Sequence, residues 1–191
     1  AHLAHFRFEY QEGAGGIAHA LLSARRHVEG QPFALLFPDD LILGPRPVTG
    51  QLSRVYESVG GSVIAVQPVA PAEVAQYGIV DPVEDANPAR LRAVVEKPRP
   101  GEAPSDLGIV GRYILSPRIF DYIDRTEPGR NGELQITDAL ALQIAAGDPV
   151  RAFRYEGRRF DTGRPSGYLV AKELTKPPLP RRLLAKLPGR S

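Results

Sequence analysis

Short apolar runs alternate with amphipathic stretches along most of the chain, and this alternation narrows the choice of folds more than any other feature. Runs such as Val63-Ile-Ala-Val66 and Ile109-Val110 are short and β-branched, which suits strands. Between them, stretches such as 17–28 and 137–146 place apolar residues three and four apart, which suits helices with one buried face. Strands and helices in alternation wind into a sheet with helices packed on its faces. The expectation is therefore an α/β fold, a Rossmann-like, mostly parallel sheet flanked by helices. Strands are expected at about 7–10, 33–37, 62–66, 91–95, 107–115 and 150–155. Helices are expected at 17–28, 50–59, 117–124, 137–146 and 166–174, with Thr137 as an N-cap. Residues 82–90 and 98–104 gather Pro, Asp, Asn and Gly without periodicity and read as surface loops.

A length of 191 residues suits one sizeable core. We expect one domain over 1–174 and a basic, proline-rich tail over 175–191, where Lys176-Pro-Pro-Leu-Pro-Arg-Arg182 cannot continue a helix. The net charge of +2 hides an asymmetry, because the last twenty residues carry +5 and the rest −3. A body of that sign gives no reason to expect nucleic acid as a partner. No stretch approaches the roughly 20 apolar residues that a membrane-spanning helix needs, so no membrane partner is expected. The chain has no cysteine, which excludes disulfides, thiolate metal sites and a cysteine nucleophile. Any metal must be held by oxygen or imidazole. The first residues lack the order of a signal peptide, so a cytoplasmic location is expected. With no methionine anywhere, the sequence reads as part of a longer reading frame.

Four segments could carry chemistry. Phe33-Ala-Leu-Leu-Phe-Pro-Asp-Asp40 is an apolar strand ending in two carboxylates, and strand carboxyl ends form the ligand crevice of open α/β sheets. Asp39 is placed at that mouth, although an Asp after a strand also serves turns. Phe160-Asp-Thr-Gly163 sets a second carboxylate, Asp161, before a helix; it could equally cap that helix. Brought together, Asp39 and Asp161 would repel unless a cation such as Mg²⁺ lay between them. Val94-Val-Glu-Lys-Pro98 leaves Glu96 and Lys97 at a strand exit. Lys97 could neutralise a sugar phosphate and Glu96 could accept from sugar hydroxyls, or the two could form an ordinary surface ion pair. Gln11-Glu-Gly-Ala-Gly-Gly-Ile-Ala-His-Ala20 is a glycine-rich turn without the spacing of a Walker or Rossmann loop, and it fits an ordinary strand-to-helix connection. The histidines lack metal-site spacing, and no Gly-x-Ser-x-Gly elbow is present.

Read in order, these segments resemble the bacterial UTP:glucose-1-phosphate uridylyltransferases. The resemblance rests on Gln11 with Gly16-Ile-Ala-His19-Ala, Pro38-Asp39, Tyr77-Gly-Ile-Val-Asp81, Val94-Val-Glu-Lys-Pro98, Ala103-Pro-Ser-Asp-Leu-Gly-Ile-Val-Gly-Arg-Tyr113, Gly132-Glu-Leu-Gln-Ile-Thr-Asp-Ala139 and Asp161-Thr-Gly163. It extends to about Leu174. It implies the nucleotide-diphospho-sugar transferase type of fold, with the first strand-helix units missing. It implies transfer of UMP from UTP to glucose 1-phosphate, giving UDP-glucose and pyrophosphate, with Mg²⁺ as cofactor. Asp39 and Asp161 would then be the metal carboxylates, and Glu96 and Lys97 the sugar and sugar-phosphate contacts, Lys97 also serving catalysis. Gln11, Gly16 and His19 would bind the nucleotide, while Gly78 and Gly111 would line the sugar pocket. Relatives of this kind imply a homo-oligomer at full length.

Departures accompany the matches. The family's Gly-x-Gly-Thr-Arg loop and Pro-Lys-Glu segment, which grip the triphosphate, do not occur in these residues, so this chain alone is expected to be inactive. Asp106 stands where Asn is usual, and Pro165 where a Lys often follows the Asp-x-Gly turn. The alternatives are a non-catalytic module that binds sugar phosphate or a partner, and a nucleotidyltransferase using dTTP or GTP with a related sugar phosphate.

Overall fold

The computed structural model describes residues 4–28, 30–99, 101–129 and 132–174. In chain order these contain α1 (Gly16–Val28), β1 (Phe33–Leu36), β2 (Asp40–Leu43), α2 (Val48–Val59), β3 (Ser62–Pro68) and a 3-10 turn at Pro71–Gln76. There follow β4 (Gly78–Pro82), β5 (Ala89–Glu96), β6 (Leu107–Leu115), α3 (Ile119–Ile123), α4 (Ile136–Ala145), β7 (Val150–Arg154), β8 (Arg158–Asp161) and α5 (Pro165–Leu174). The expected tail, 175–191, lies outside the described residues.

The period-2 geometry of β3 organises the interior. Ile64 and Val66 join the larger core with Ala18 and Leu21 of α1, Ile119 and Phe120 of α3 and Leu140 of α4. Val63 and Ala65 point the other way and pack with Val48, Leu52 and Val55 of α2. Because both faces are covered, β3 reads as an unbroken apolar run instead of an alternating one. The expected α/β class, with helices on both faces of the sheet, is present.

The sheet itself is mixed, where a mostly parallel one was expected. Six strands take the order β1-β6-β3-β7-β5-β4, and a further pairing joins β4 to β6. β3 and β7 are parallel. The other pairings are antiparallel, with β6 inserted between β1 and β3. The turn between β4 and β5 is short and closed by the Val83 N–H donating to Arg90 O at 2.9 Å, and a short hairpin can join only antiparallel strands. β2 and β8 form a separate two-stranded ladder that pairs Asp40 with Asp161.

The observed helices begin and end close to their expected bounds. Thr137, however, does not cap α4. The cap position is Gln135, with no side-chain cap, and Thr137 is buried within the first turn. Residues 7–10 form no strand, and Phe6, Phe8 and Tyr10 are 81%, 85% and 92% exposed, with no strand laid beside them among the described residues. β1 has one strand neighbour among the described residues, the antiparallel β6, and alternates between half-buried and exposed positions along its apolar run. Three further strands, β2, β4 and β8, escaped the pattern: β4 starts with Gly78 and ends with Pro82, residues that weaken a strand reading. Among the described residues no helix is long and apolar enough to cross a membrane.

Leu140 has no exposed surface and sits where α4 meets the sheet. Leu140→Ala should lower unfolding free energy by about 2–5 kcal/mol, whereas Val95→Ala on the exposed side of β5 should change it by less than about 1 kcal/mol. Urea denaturation of the two variants checks the contrast.

Candidate functional site

The site is assembled at the ends of strands that the sheet holds in register. β5 ends at Glu96, paired with Gly78 at the start of β4. Lys97 follows with φ 45°, the one non-glycine residue of positive φ among the described residues, and its N–H donates to Tyr77 O at 3.0 Å. Strained backbone of this kind persists where surroundings over-determine it, often where a side chain must be aimed. Lys97 Nζ lies 3.4 Å from Glu96 Oε1. A Cβ on Gly78 would meet Thr137 Oγ1 at 3.1 Å, Ile109 Cδ1 at 3.2 Å and Glu96 Oε2 at 3.3 Å, so glycine keeps this wall thin.

Another part of the lining comes from the turn after β1 and from the β2–β8 ladder. Asp39 O accepts from the Thr162 N–H at 2.7 Å and from Thr162 Oγ1 at 2.9 Å. These bonds bring two acidic residues together although more than a hundred positions separate them. A Cβ on Gly163 would stand 3.1 Å from Asp39 Oδ2 and 3.2 Å from Asp161 Oδ1, so both carboxylates border one small space that the glycine leaves open. The Gly163 N–H donates to Asp161 Oδ1 at 3.1 Å, which gives Asp161 a local turn role as well.

Asp39, Gly78, Glu96, Lys97, Gly111 and Asp161 line one cavity of about 220 Å³. Gln11, Gly16 and His19 do not line it. They gather at the start of α1, where Gln11 Nε2 donates to Gly16 O at 3.0 Å and lies 3.2 Å from His19 Nδ1. Gly16 needs its positive φ of 84°, and a Cβ there would meet Leu134 O at 2.6 Å. The next residue, Ile17, does reach the cavity, so the two groups are neighbours across the first turn of α1.

Several functional neighbours were not singled out from the sequence. Asp40 is buried in the wall of the same cavity, where its Oδ2 accepts from the Gly111 N–H at 2.6 Å and its Oδ1 accepts from Arg159 Nε. Burial alone would lower the Arg159 pKa, but the charge of Asp40 and its hydrogen bond outweigh that and hold it above its ordinary value. Tyr77 and Tyr113 also line the cavity, and burial, then the charges of Glu96 and Asp40, push the Tyr113 phenol up, so it stays neutral. A period-2 reading of Arg158-Arg159-Phe160-Asp161 could have placed Arg159 and Asp161 on one strand face. Nothing in the sequence marks Asp40 as the buried member of its pair.

Two carboxylates and no third protein ligand border the Gly163 space; the described residues hold no cluster of three or more His, Asp or Glu fit for a metal. That donor set suits Mg²⁺, which binds through one or two carboxylates and completes its shell with water and phosphate oxygens. Beside it, Lys97 and Glu96 offer a cation for a phosphate and an acceptor for hydroxyls. The fold and the site together define an α/β protein with two carboxylates, a lysine and a glutamate around one cavity.

The chain belongs to the nucleotidyl transferase family, which it matches over residues 4–176. It is 42% identical over 170 residues to UTP–glucose-1-phosphate uridylyltransferase 1 of Staphylococcus saprophyticus, covering 88% of this chain and 59% of that protein. It is also 42% identical over 170 residues to the UTP–glucose-1-phosphate uridylyltransferase of Pseudomonas aeruginosa, covering 87% of this chain and 60% of that one. The chain thus spans about three fifths of these relatives' lengths. Its structure is similar to that of a UDP-glucose pyrophosphorylase complexed with UDP-glucose, with TM-score 0.81 and 35% identity over 86% of this chain and 63% of the other. A UTP-bound enzyme of the same kind from Acinetobacter baumannii gives TM-score 0.76 and 34% identity over 92% and 64%.

Asp138 borders a second cavity, of about 640 Å³, on the outer side of Glu96 and Lys97. Burial, then the negative charge of Glu96, raises its pKa. The folded state therefore binds this proton more tightly than the unfolded chain does. The resulting stability is fully present below the unfolded value of about 4 and is lost as pH rises through the folded value. Asp138→Asn should thus match the parent in Tm near pH 3 and exceed it at pH 7, as a series of melting curves against pH would show.

Proposed function

We propose that this chain is the sugar-phosphate-binding part of an enzyme that transfers UMP from UTP to glucose 1-phosphate, giving UDP-glucose and pyrophosphate. The observation that carries the reading is the single cavity shared by Asp39, Asp161, Glu96 and Lys97. Likeness to uridylyltransferases over most of this chain supports it.

In this reading, Lys97 neutralises the phosphate of glucose 1-phosphate and Glu96 accepts from the sugar hydroxyls, with Gly78 and Gly111 lining the sugar pocket. Gln11, Gly16 and His19, grouped at the start of α1, contact the nucleotide. A phosphate oxygen of glucose 1-phosphate attacks the α-phosphorus of UTP in line, and the bond to the departing pyrophosphate breaks. Asp39 and Asp161 would hold Mg²⁺, which would supply positive charge to the phosphates. Lys97 supplies positive charge in the same cavity, so rate enhancement comes from positioning and electrostatics. Residues 1–174 form part of one transferase domain, with 175–191 as a basic tail. The full-length protein is a cytoplasmic homo-oligomer.

Full-length protein should make UDP-glucose from UTP and glucose 1-phosphate, stop with EDTA and resume with Mg²⁺, as chromatography of the products would show. Preference for dTTP or GTP in the same assay would overturn the nucleotide assignment. Lys97→Ala should lower kcat/KM for glucose 1-phosphate by roughly 10²–10³-fold; unchanged kinetics would remove Lys97 from the site.

A further inference from the structure

The Arg159 side chain lies 13% exposed beside a carboxylate assigned above to a cation. Arg159 and Asp161 are two residues apart on β8, so their side chains share one face of the strand. The nearest acid along the chain is therefore Asp161, yet Arg159 does not close upon it. Its Nη2 lies 3.7 Å from Asp161 Oδ2, close enough for a loose ion pair but beyond hydrogen-bond distance. Its Nε instead donates to Asp40 Oδ1, and its Nη1 donates to the Tyr77 hydroxyl at 3.1 Å.

Asp40 is built to win this competition. It stands opposite Asp161 in the β2–β8 ladder and is the more deeply buried of the two, with side-chain exposures of 4% and 27%. Its second oxygen is fixed by the Gly111 N–H, and a Cβ on Gly111 would press on that oxygen at 2.7 Å. The carboxylate therefore cannot turn away. Arg164 also approaches Asp161, at 3.4 Å, but it is half-exposed, and its Nη2 donates to Gln76 Oε1, so water screens it and a second acceptor shares it. Arg159 is the less exposed of the two cations. If it paired fully with Asp161, it would satisfy the charge that a metal needs.

We propose that Asp40 is a positioning residue that holds Arg159 away from Asp161 and so keeps the Asp161 carboxylate open to a divalent cation. The idea rests on the metal reading above and adds a role for two residues outside it. Asp40→Asn leaves an acceptor for Gly111 but turns an amide N–H₂ toward Arg159, which cannot accept from it. The guanidinium then moves onto Asp161.

The test is Mn²⁺ affinity of the full chain, read from the electron paramagnetic resonance signal of free Mn²⁺, with no turnover required. Asp40→Asn should weaken Mn²⁺ binding by roughly 10–100-fold. Adding Arg159→Gln to Asp40→Asn should restore affinity to within about threefold of the parent, a rescue that a purely structural defect would not show. Arg159→Gln alone should bind Mn²⁺ at least as tightly as the parent, which keeps the idea testable if Asp40→Asn does not fold. Unchanged affinity in Asp40→Asn, a double variant as weak as the single one, or weakened binding in Arg159→Gln would each overturn the proposal while leaving the metal reading intact. A parent chain that binds no Mn²⁺ would overturn both.

Discussion

The short ladder between β2 and β8 is the constraint on which the rest of the site depends. It pairs Asp40 with Asp161 and carries the preceding Asp39 to the rim of the same space. Without it the two ends of the chain that supply carboxylates would have no reason to meet. The ladder is only four residues long, so it is secured from below by side chains. Arg112 donates to Phe37 O at 2.8 Å and also to Asp40 O, tying the turn after β1 to the middle of β6. Asp40 completes the clamp through the Gly111 N–H. Charge near the surface is thus held by a buried polar network whose members satisfy one another, and the described residues leave no buried side-chain polar atom unpaired.

Strands and helices with strong periodicity were legible before any coordinates. β6 has its expected bounds, and α1, α2, α4 and α5 begin within a residue or two of expectation, because a run of apolar residues with clear stops leaves few alternatives. Strand direction was not legible. Whether a strand runs with or against its neighbour depends on which strand it meets, and nothing within Leu107–Leu115 says that it will lie between β1 and β3. The short strands were also hidden. β2 begins with an acid directly after a proline turn, and β4 is bracketed by glycine and proline, so local propensity argued against both while cross-strand pairing decided the outcome.

For the site, legibility followed local chemistry. Glu96 with Lys97 at a strand exit, the Pro-Asp-Asp turn at Asp39 and the Asp-Thr-Gly turn at Asp161 could be read from neighbouring residues, and the structure sets all four around one cavity. What holds those groups in place could not be read. Asp39 and Asp40 are adjacent and chemically identical, yet one is exposed and the other buried, a difference set by the β2–β8 ladder and by Gly111. Gly111 illustrates the same point: a Cβ there would meet Phe37 Cβ at 2.4 Å, a contact between distant parts of the chain. Supporting residues owe their roles to tertiary neighbours, which a linear reading does not supply.

We propose that Asp39 and Asp161 together form a divalent-cation seat in the cavity they share with Glu96 and Lys97. Anomalous diffraction from crystals grown with Mn²⁺ and UTP tests it most directly, because the metal reports its own position. One strong peak is expected between the two carboxylates beside Gly163, within about 2.0–2.3 Å of an oxygen of each. A peak in the neighbouring cavity bordered by Glu133 and Asp138, with none beside Gly163, would contradict it.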